Sequence, residues 1–90
     1  MIKFSTVKSG SMGASVAILQ TVFRCLQYVG ADGKPIEIDG RCGPDTVYAI
    51  NHFQTIQRAY GYECGTNGKN DGSFGPACWR RLLGEDVRLA

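Results

Sequence analysis

The stretch DGRCGPDT, residues 39–46, returns almost unchanged as DGSFGPAC at residues 71–78. Both copies share the pattern Asp-Gly-x-x-Gly-Pro, and they begin 71 − 39 = 32 residues apart. A repeat of this length corresponds to one supersecondary unit and not to low complexity. The secondary structure that each copy forms therefore determines the fold of the chain.

Each copy has the chemistry of a turn that opens a helix. The Asp39 carboxylate can accept hydrogen bonds from backbone N–H groups just ahead of it, as in an Asx turn. Gly40 tolerates the positive φ that such a turn often needs. Pro44 fits the first helical position, where its missing N–H costs nothing, and Asp45 lies at the positive end of the helix dipole. Residues 71–76 repeat this arrangement, apart from the acidic residue.

Apolar residues at helical spacing follow both copies, and they also follow a looser third copy, SGSMGASV at residues 9–16. The predicted apolar faces are Val16, Leu19, Phe23 and Leu26, widened by Ile18, Val22, Cys25 and Val29; Val47, Ile50, Phe53, Ile56 and Tyr60, with Ala49 at the edge; and Trp79, Leu82 and Leu83, ended by Gly84. We predict an all-α fold, a small three-helix bundle with two Asp-Gly-x-x-Gly-Pro turns. Turn-rich loops at residues 30–38 and 61–70 connect the helices.

Length and charge limit the class of protein. A chain of 90 residues forms one domain with a modest core. No apolar run approaches the ~20 residues of a membrane span, and residues 1–10 contain no stretch long enough for a signal peptide. The net charge is +2, and Arg80-Arg81 is the only adjacent basic pair. This pattern argues against a nucleic-acid partner, which usually requires clustered basic residues.

The motifs together resemble the peptidoglycan-binding-domain-like family, small three-helix modules attached to many bacterial and phage cell-wall enzymes. GSMGASVAILQ resembles the family's opening stretch, and LQY at residues 26–28 is similar to its first helix exit. IDGRCGPDTVYAINHFQ resembles its second helix start, and DGSFGPACWRRLLG its final turn. The likeness covers residues 7–84 of a single domain spanning residues 1–90. The two connecting loops are longer than is usual in the family.

The resemblance implies a non-catalytic module that binds bacterial peptidoglycan, through the glycan strand or the stem peptide. It implies that the module holds a fused or associated partner at the wall, such as a cell-wall hydrolase, an endolysin or a phage structural protein. The implied location is extracytoplasmic at the cell wall, or phage-associated. No cofactor, metal, nucleic acid or membrane is implied.

Exposed residues of the second predicted helix form the first candidate binding surface. Tyr48 and His52 lie four residues apart, on the side away from Ile50, with Asn51 and Thr55 beside them. A tyrosine ring can cover the apolar C–H face of a sugar while polar neighbours bond its hydroxyls. We therefore expect this face to contact a carbohydrate.

Three further residues are candidates outside that face. Tyr60 and Tyr62 would extend an aromatic surface towards the second loop. Arg41 in the first turn could pair with the carboxylates of a stem peptide. Single exposed aromatic residues are nevertheless common on protein surfaces without any function.

The sequence does not predict catalysis. His52 is the only histidine, which excludes a site that needs two, such as H-E-x-x-H. Cys25 with His52 is the one nucleophile pair to consider, but the helical pattern places Cys25 on an apolar face, where a thiol is inert. Asp39 and Asp71 could be an acid–base pair facing a glycan, but each has a structural role in its own turn.

The four cysteines can pair in more than one way, and the sequence does not select a pairing. None has C-x-x-C spacing, which argues against a zinc site. Cys25, Cys42 and Cys78 fall at or near core positions, whereas Cys64 lies in a Gly-rich loop and is expected to be the most exposed. Disulfides and free thiols both remain open, and the core positions favour free thiols.

Two other functions fit the same pattern. The bundle could dock on a protein partner as an interaction or assembly module. Failure to bind purified sacculi, together with a stable protein complex, would favour this hypothesis. A helix-turn-helix DNA reader with Arg80 and Arg81 on its recognition helix would show strong, salt-dependent affinity for DNA. The modest charge and the turn chemistry argue against the DNA reader.

Overall fold

Three helices form the architecture of the described part of the chain, residues 4–83 of the computed structural model. They are α1 (Ala14–Cys25), α2 (Pro44–Ala59) and α3 (Pro76–Leu83). Between residues 4 and 83 the β-structure consists of isolated bridges, such as the one between Val7 and Phe74. The all-α three-helix prediction is confirmed, and the predicted helix stop at Gly84 lies outside the described residues. No helix within residues 4–83 is long and apolar enough to cross a membrane.

The helices begin where the glycine motifs predict. Pro44 and Pro76 are the first residues of α2 and α3, and α1 begins directly after Gly13. In the first turn Asp39 Oδ1 accepts a hydrogen bond from the backbone N–H of Arg41 at 2.9 Å. The second turn repeats this bond between residues 71 and 73 at 3.0 Å. Both predicted Asx turns are confirmed.

A buried glutamine in α1 holds the first turn in place. Oε1 of Gln20 accepts hydrogen bonds from the backbone N–H groups of Asp39 (3.1 Å) and Gly40 (2.9 Å). Its Nε2 donates to Asp39 Oδ1 (3.0 Å), to the Arg41 carbonyl (2.9 Å) and to Thr46 Oγ1 (3.1 Å). The Arg41 backbone and Gln20 together hold the pKa of the Asp39 carboxyl below its ordinary value.

Gln54 in α2 does the same for the second turn. Its Oε1 accepts from the backbone N–H groups of Asp71 (3.1 Å) and Gly72 (3.4 Å). Its Nε2 donates to Asp71 Oδ1 (2.8 Å) and to the carbonyls of Ser73 (3.0 Å) and Cys64 (3.2 Å). The chain thus contains one unit twice, a helix whose buried glutamine fixes the turn that opens the next helix.

The core is built on aromatic rings from all three helices and from the second turn. Phe74 lies at its centre, with ring centroids 5.8 Å from Phe23, 5.1 Å from Phe53 and 4.9 Å from Trp79. The first turn has Cys42 at the position of Phe74, and both are buried. The core therefore uses equivalent positions of the two repeats with side chains of different size.

The predicted apolar face of α1 is wrong at its C-terminal end. Cys25 and Leu26 are exposed and do not join the core. The chain leaves α1 through Gln27, which has a φ of 65°, and Tyr28 packs onto the core in their place. The Tyr28 ring stacks on Phe23 with centroids 4.9 Å apart. Three other predicted core residues, Ile18, Tyr60 and Leu83, are also exposed, whereas Ala49 is fully buried and not at the edge.

The expectation that Cys64 is exposed is also wrong. Cys64 is buried because the second loop folds back on itself, with Thr66 and Lys69 paired through both backbone N–H groups. The loop carries the Cys64 carbonyl to within hydrogen-bonding distance of Gln54 Nε2 and of Cys78 Sγ. Burial, together with the neighbouring Cys78, raises the pKa of the Cys64 thiol to about 12.

Replacing Gly72 with valine is expected to destabilise the fold by about 1–3 kcal/mol, because a β-branched side chain resists positive φ. Gly72 has a φ of 70°, and an added Cβ would lie 3.4 Å from Val47 Cγ1. Gly43→Val is the matched control, since Gly43 has an extended backbone (φ −91°) with open space around its Cβ position. Urea unfolding measures both variants. If Gly72→Val and Gly43→Val unfold at the same urea midpoint, the turn assignment is contradicted.

Candidate functional site

A shallow groove lies on the exposed face of α2. Its lining consists of Tyr48, Asn51, His52 and Thr55 from α2 and Asn70 from the second loop, and its volume is about 250 Å³. The four α2 residues have the spacing i, i+3, i+4, i+7, which places them on one side of a helix. The structure therefore brings three of the predicted site residues together in what we call the α2 groove.

Hydrogen bonds fix the polar wall of the α2 groove. Asn70 Nδ2 donates to Thr55 Oγ1 at 2.7 Å, and Thr55 Oγ1 donates to the Asn51 carbonyl at 3.1 Å. Arg58 donates to Asn70 Oδ1 at 2.9 Å and forms an ion pair with Glu63 at 3.3 Å. The loop side of the groove is thus held against α2 in a defined position.

Aromatic side chains form the other side of the α2 groove. The Tyr48 side chain is 47% exposed and offers its ring to solvent. The His52 ring lies against Tyr28, with centroids 5.4 Å apart and a tilt of 56°. Tyr28 is half-buried, which raises the pKa of its hydroxyl, and it stacks on Phe23 of the core. His52 is therefore supported by the core, while Tyr48 supplies the open ring surface.

The remaining three predicted site residues lie outside the α2 groove. Arg41 lines a different groove of about 510 Å³ beside the exposed side chains of Met12 and Ile38. Tyr60 caps the end of α2 and is 74% exposed. One face of the Tyr62 ring is covered by the guanidinium of Arg81, 3.5 Å from the ring centroid. No single surface collects all six residues.

The sequence did not indicate Asn70 or Tyr28 as parts of the site. Asn70 comes from the second loop and Tyr28 from the exit of α1, so each reaches the groove only through the path of the folded chain. A loop rich in glycine gives no periodic pattern from which such a contact could be derived. Thr55 lies beside Tyr48 and His52 as expected, because helical spacing alone determines its side of α2.

The two turn aspartates are engaged in structure. Burial raises the pKa of Asp71, but hydrogen bonds from Thr66, Gln54 and the Ser73 backbone outweigh it and leave the pKa lowered. The pKa of Asp39 is lowered as well. A general acid needs a pKa near the working pH, so neither carboxyl is poised to protonate a leaving group. No group of three or more His, Cys, Asp or Glu side chains that could hold a metal ion occurs within residues 4–83.

The described fold resembles that of the SleB N-terminal domain, which is known from a crystal structure. The TM-score is 0.63, the similarity covers 94% of this chain and 100% of that domain, and the sequences are 21% identical. The sequence matches no protein-family model and none of the curated proteins. At this level of identity the likeness establishes the fold alone.

Proposed function

We propose that this chain is a non-catalytic module that binds the glycan strand of bacterial peptidoglycan through the α2 groove. The observation that carries the proposal is the exposed Tyr48 ring beside the polar side chains of Asn51, Thr55 and Asn70. A ring bordered by hydrogen-bonding groups fits a sugar, which has apolar C–H faces and hydroxyl edges. The resemblance of the turn motifs to the peptidoglycan-binding-domain-like family supports the wall as the target.

The lining of the α2 groove favours glycan over stem peptide. None of its five residues is a lysine, arginine, aspartate or glutamate. A stem-peptide carboxylate is recognised best by a cation, arginine above all, because charge-assisted hydrogen bonds are the strong ones. Arg41 lies in the other groove. The α2 groove is therefore suited to a neutral, hydroxyl-rich ligand.

Such a module acts by tethering. A groove of about 250 Å³ is small for a ligand site, and we expect a single copy to bind weakly. Attachment to a fused or associated cell-wall hydrolase or phage structural protein raises the effective concentration at the wall and with it the overall avidity. The proposed location is extracytoplasmic at the cell wall, or phage-associated.

Tyr48→Ala is expected to weaken binding to purified sacculi by about 1–2 kcal/mol, the scale of a good ring contact, which is roughly a five- to thirtyfold loss of affinity. The melting temperature should stay nearly unchanged, because Tyr48 lies outside the buried core. Sedimentation isotherms with sacculi measure the effect, with chitin and cellulose as ligand controls.

Tyr60→Ala is the matched control, because it removes another exposed tyrosine, at the C-terminal end of α2 and outside the groove. We expect it to bind sacculi like the wild type. Equal affinity of Tyr48→Ala and wild type would contradict the α2 groove as the site. Absence of wild-type binding to sacculi would contradict the function itself.

A second candidate function, a protein-interaction or assembly module, has one observation in its favour. The groove beside the first turn is larger, about 510 Å³, and Met12 and Ile38 beside it are 71% and 45% exposed. Exposed apolar side chains with a polar rim are typical of docking surfaces. A stable protein complex that is lost in Met12→Ser and kept in Tyr48→Ala would favour this function.

A further inference from the structure

Two of the cysteines are held together in the core. Cys64 lies in the second loop and Cys78 is the third residue of α3, and their exposed fractions are 6% and 0%. Cys78 Sγ donates to the Cys64 carbonyl at 3.1 Å, and the neighbouring Cys78 thiol contributes to the raised pKa of Cys64. Gln54 Nε2 donates to both residues, at 3.2 Å to the Cys64 carbonyl and at 3.6 Å to Cys78 Sγ.

The other two cysteines occupy different parts of the fold. Cys25 is exposed at the end of α1, and Cys42 is buried in the first turn. The structure therefore singles out one pair among the possible ones, which the sequence could not do.

We propose that Cys64 and Cys78 are a disulfide pair that closes when the chain folds in the presence of a small-molecule disulfide such as oxidised glutathione. One cysteine thiolate attacks a sulfur of oxidised glutathione, forms a mixed disulfide and releases one glutathione. The second cysteine thiolate then attacks the protein sulfur of that mixed disulfide and releases the second glutathione. The protein loses two electrons and two protons, and oxidised glutathione becomes two glutathione thiols.

Burial determines when this reaction takes place. The thiolate is the attacking species, and in the folded reduced protein the pKa of Cys64 is raised to about 12 by burial, with Cys78 contributing. Both sulfurs are also shielded from a reagent the size of glutathione. The Cys64–Cys78 disulfide therefore forms during folding, before the second loop packs. Once the protein has folded, burial protects the disulfide from reductants.

The bond would tie the second loop to α3. It spans 78 − 64 = 14 residues, which include Asn70 of the α2 groove. A disulfide across a loop of this size restricts the unfolded chain and stabilises the fold. For a domain of this length, the oxidised form should melt on the order of 10 °C above the reduced form.

Trypsin separates all four cysteines, which makes the pairing directly measurable. Cleavage after Arg24, Arg41, Arg58, Lys69 and Arg80 places Cys25, Cys42, Cys64 and Cys78 on the peptides 25–41, 42–58, 59–69 and 70–80. The reduced, denatured chain is refolded with oxidised and reduced glutathione, its remaining thiols are alkylated, and the digest is analysed by mass spectrometry. We expect peptides 59–69 and 70–80 to be linked and the other two to carry no protein–protein disulfide.

Cys25→Ser is the matched control, because it removes an exposed thiol outside the pair. It should keep both the linked peptides and the rise in melting temperature. The proposal is overturned if Cys64 and Cys78 remain reduced after refolding, or if either is linked mainly to Cys25 or Cys42. It is also overturned if the linked form melts no higher than the reduced form. None of these outcomes depends on whether the chain binds sacculi.

Discussion

Trp79→Ala is expected to cost about 3–5 kcal/mol of the free energy of unfolding, the range for removing a buried tryptophan or phenylalanine. The Trp79 side chain is 4% exposed, and its ring stacks on Phe4 with centroids 4.4 Å apart. It also meets the edge of Phe74 at 4.9 Å, and its Nε1 donates to the Ser5 carbonyl at 3.0 Å. The loss could equal most of the stability of a domain of this size.

Urea unfolding of Trp79→Ala, Trp79→Phe and Tyr60→Ala separates the contribution of a buried ring from that of an exposed one. Trp79→Phe keeps a ring in the core and should cost clearly less than the alanine variant. Tyr60 is 74% exposed, so Tyr60→Ala should stay within about 0.5 kcal/mol of wild type. If Trp79→Ala melts like wild type while losing binding to sacculi, Trp79 belongs to the binding site and not to the core.

Gln54→Leu should destabilise the fold by about 3 kcal/mol or more, because each buried polar group left without a partner costs about 1–3 kcal/mol. Leucine fills a similar volume but cannot pair the backbone N–H groups of Asp71 and Gly72 or the Ser73 carbonyl. It also leaves the Cys64 carbonyl with the weaker Cys78 thiol donor alone. The expected loss is thus due to unpaired polar groups and not to a cavity.

Gln57→Leu is the matched control for the glutamine variant, since Gln57 lies in the same helix outside the buried core and its side chain accepts one long bond, from Arg81 Nε at 3.4 Å. Gln20→Leu should behave like Gln54→Leu, because Gln20 likewise pairs the aspartate, two backbone N–H groups and one carbonyl of the first turn. For all three variants, a shift of the urea midpoint at unchanged slope measures a change in the free energy of unfolding. A wild-type midpoint for Gln54→Leu would show that the second turn does not depend on this side chain.

The helix starts could be predicted from the sequence because their causes are local. An aspartate, a glycine with positive φ and a proline at the first helical position act within six residues of one another. The roles of Gln20 and Gln54 were missed, because a pattern of apolar residues counts glutamine as surface. One signal was present: Leu19-Gln20 and Phe53-Gln54 place glutamine after an apolar core residue in both helices that precede a turn.

The errors on the cysteines arise where the chain path is not local. The positive φ of Gln27 ends the apolar face of α1 early, so Cys25 is exposed. The second loop folds inward onto Gln54 and Cys78, so Cys64 is buried. The candidate site also depends in part on the path of the chain. The side of α2 with Tyr48 and His52 followed from helical spacing, whereas Asn70 depends on how the loop returns to α2.

The most direct test of peptidoglycan binding by the α2 groove is an NMR titration of the isotope-labelled chain with soluble glycan fragments released from sacculi. The proposal predicts that the backbone amide signals that move are centred on Tyr48, Asn51, His52, Thr55 and Asn70, the lining of the groove. Saturating fragments that move no signals, or that move only those around Met12, Ile38 and Arg41, would contradict it.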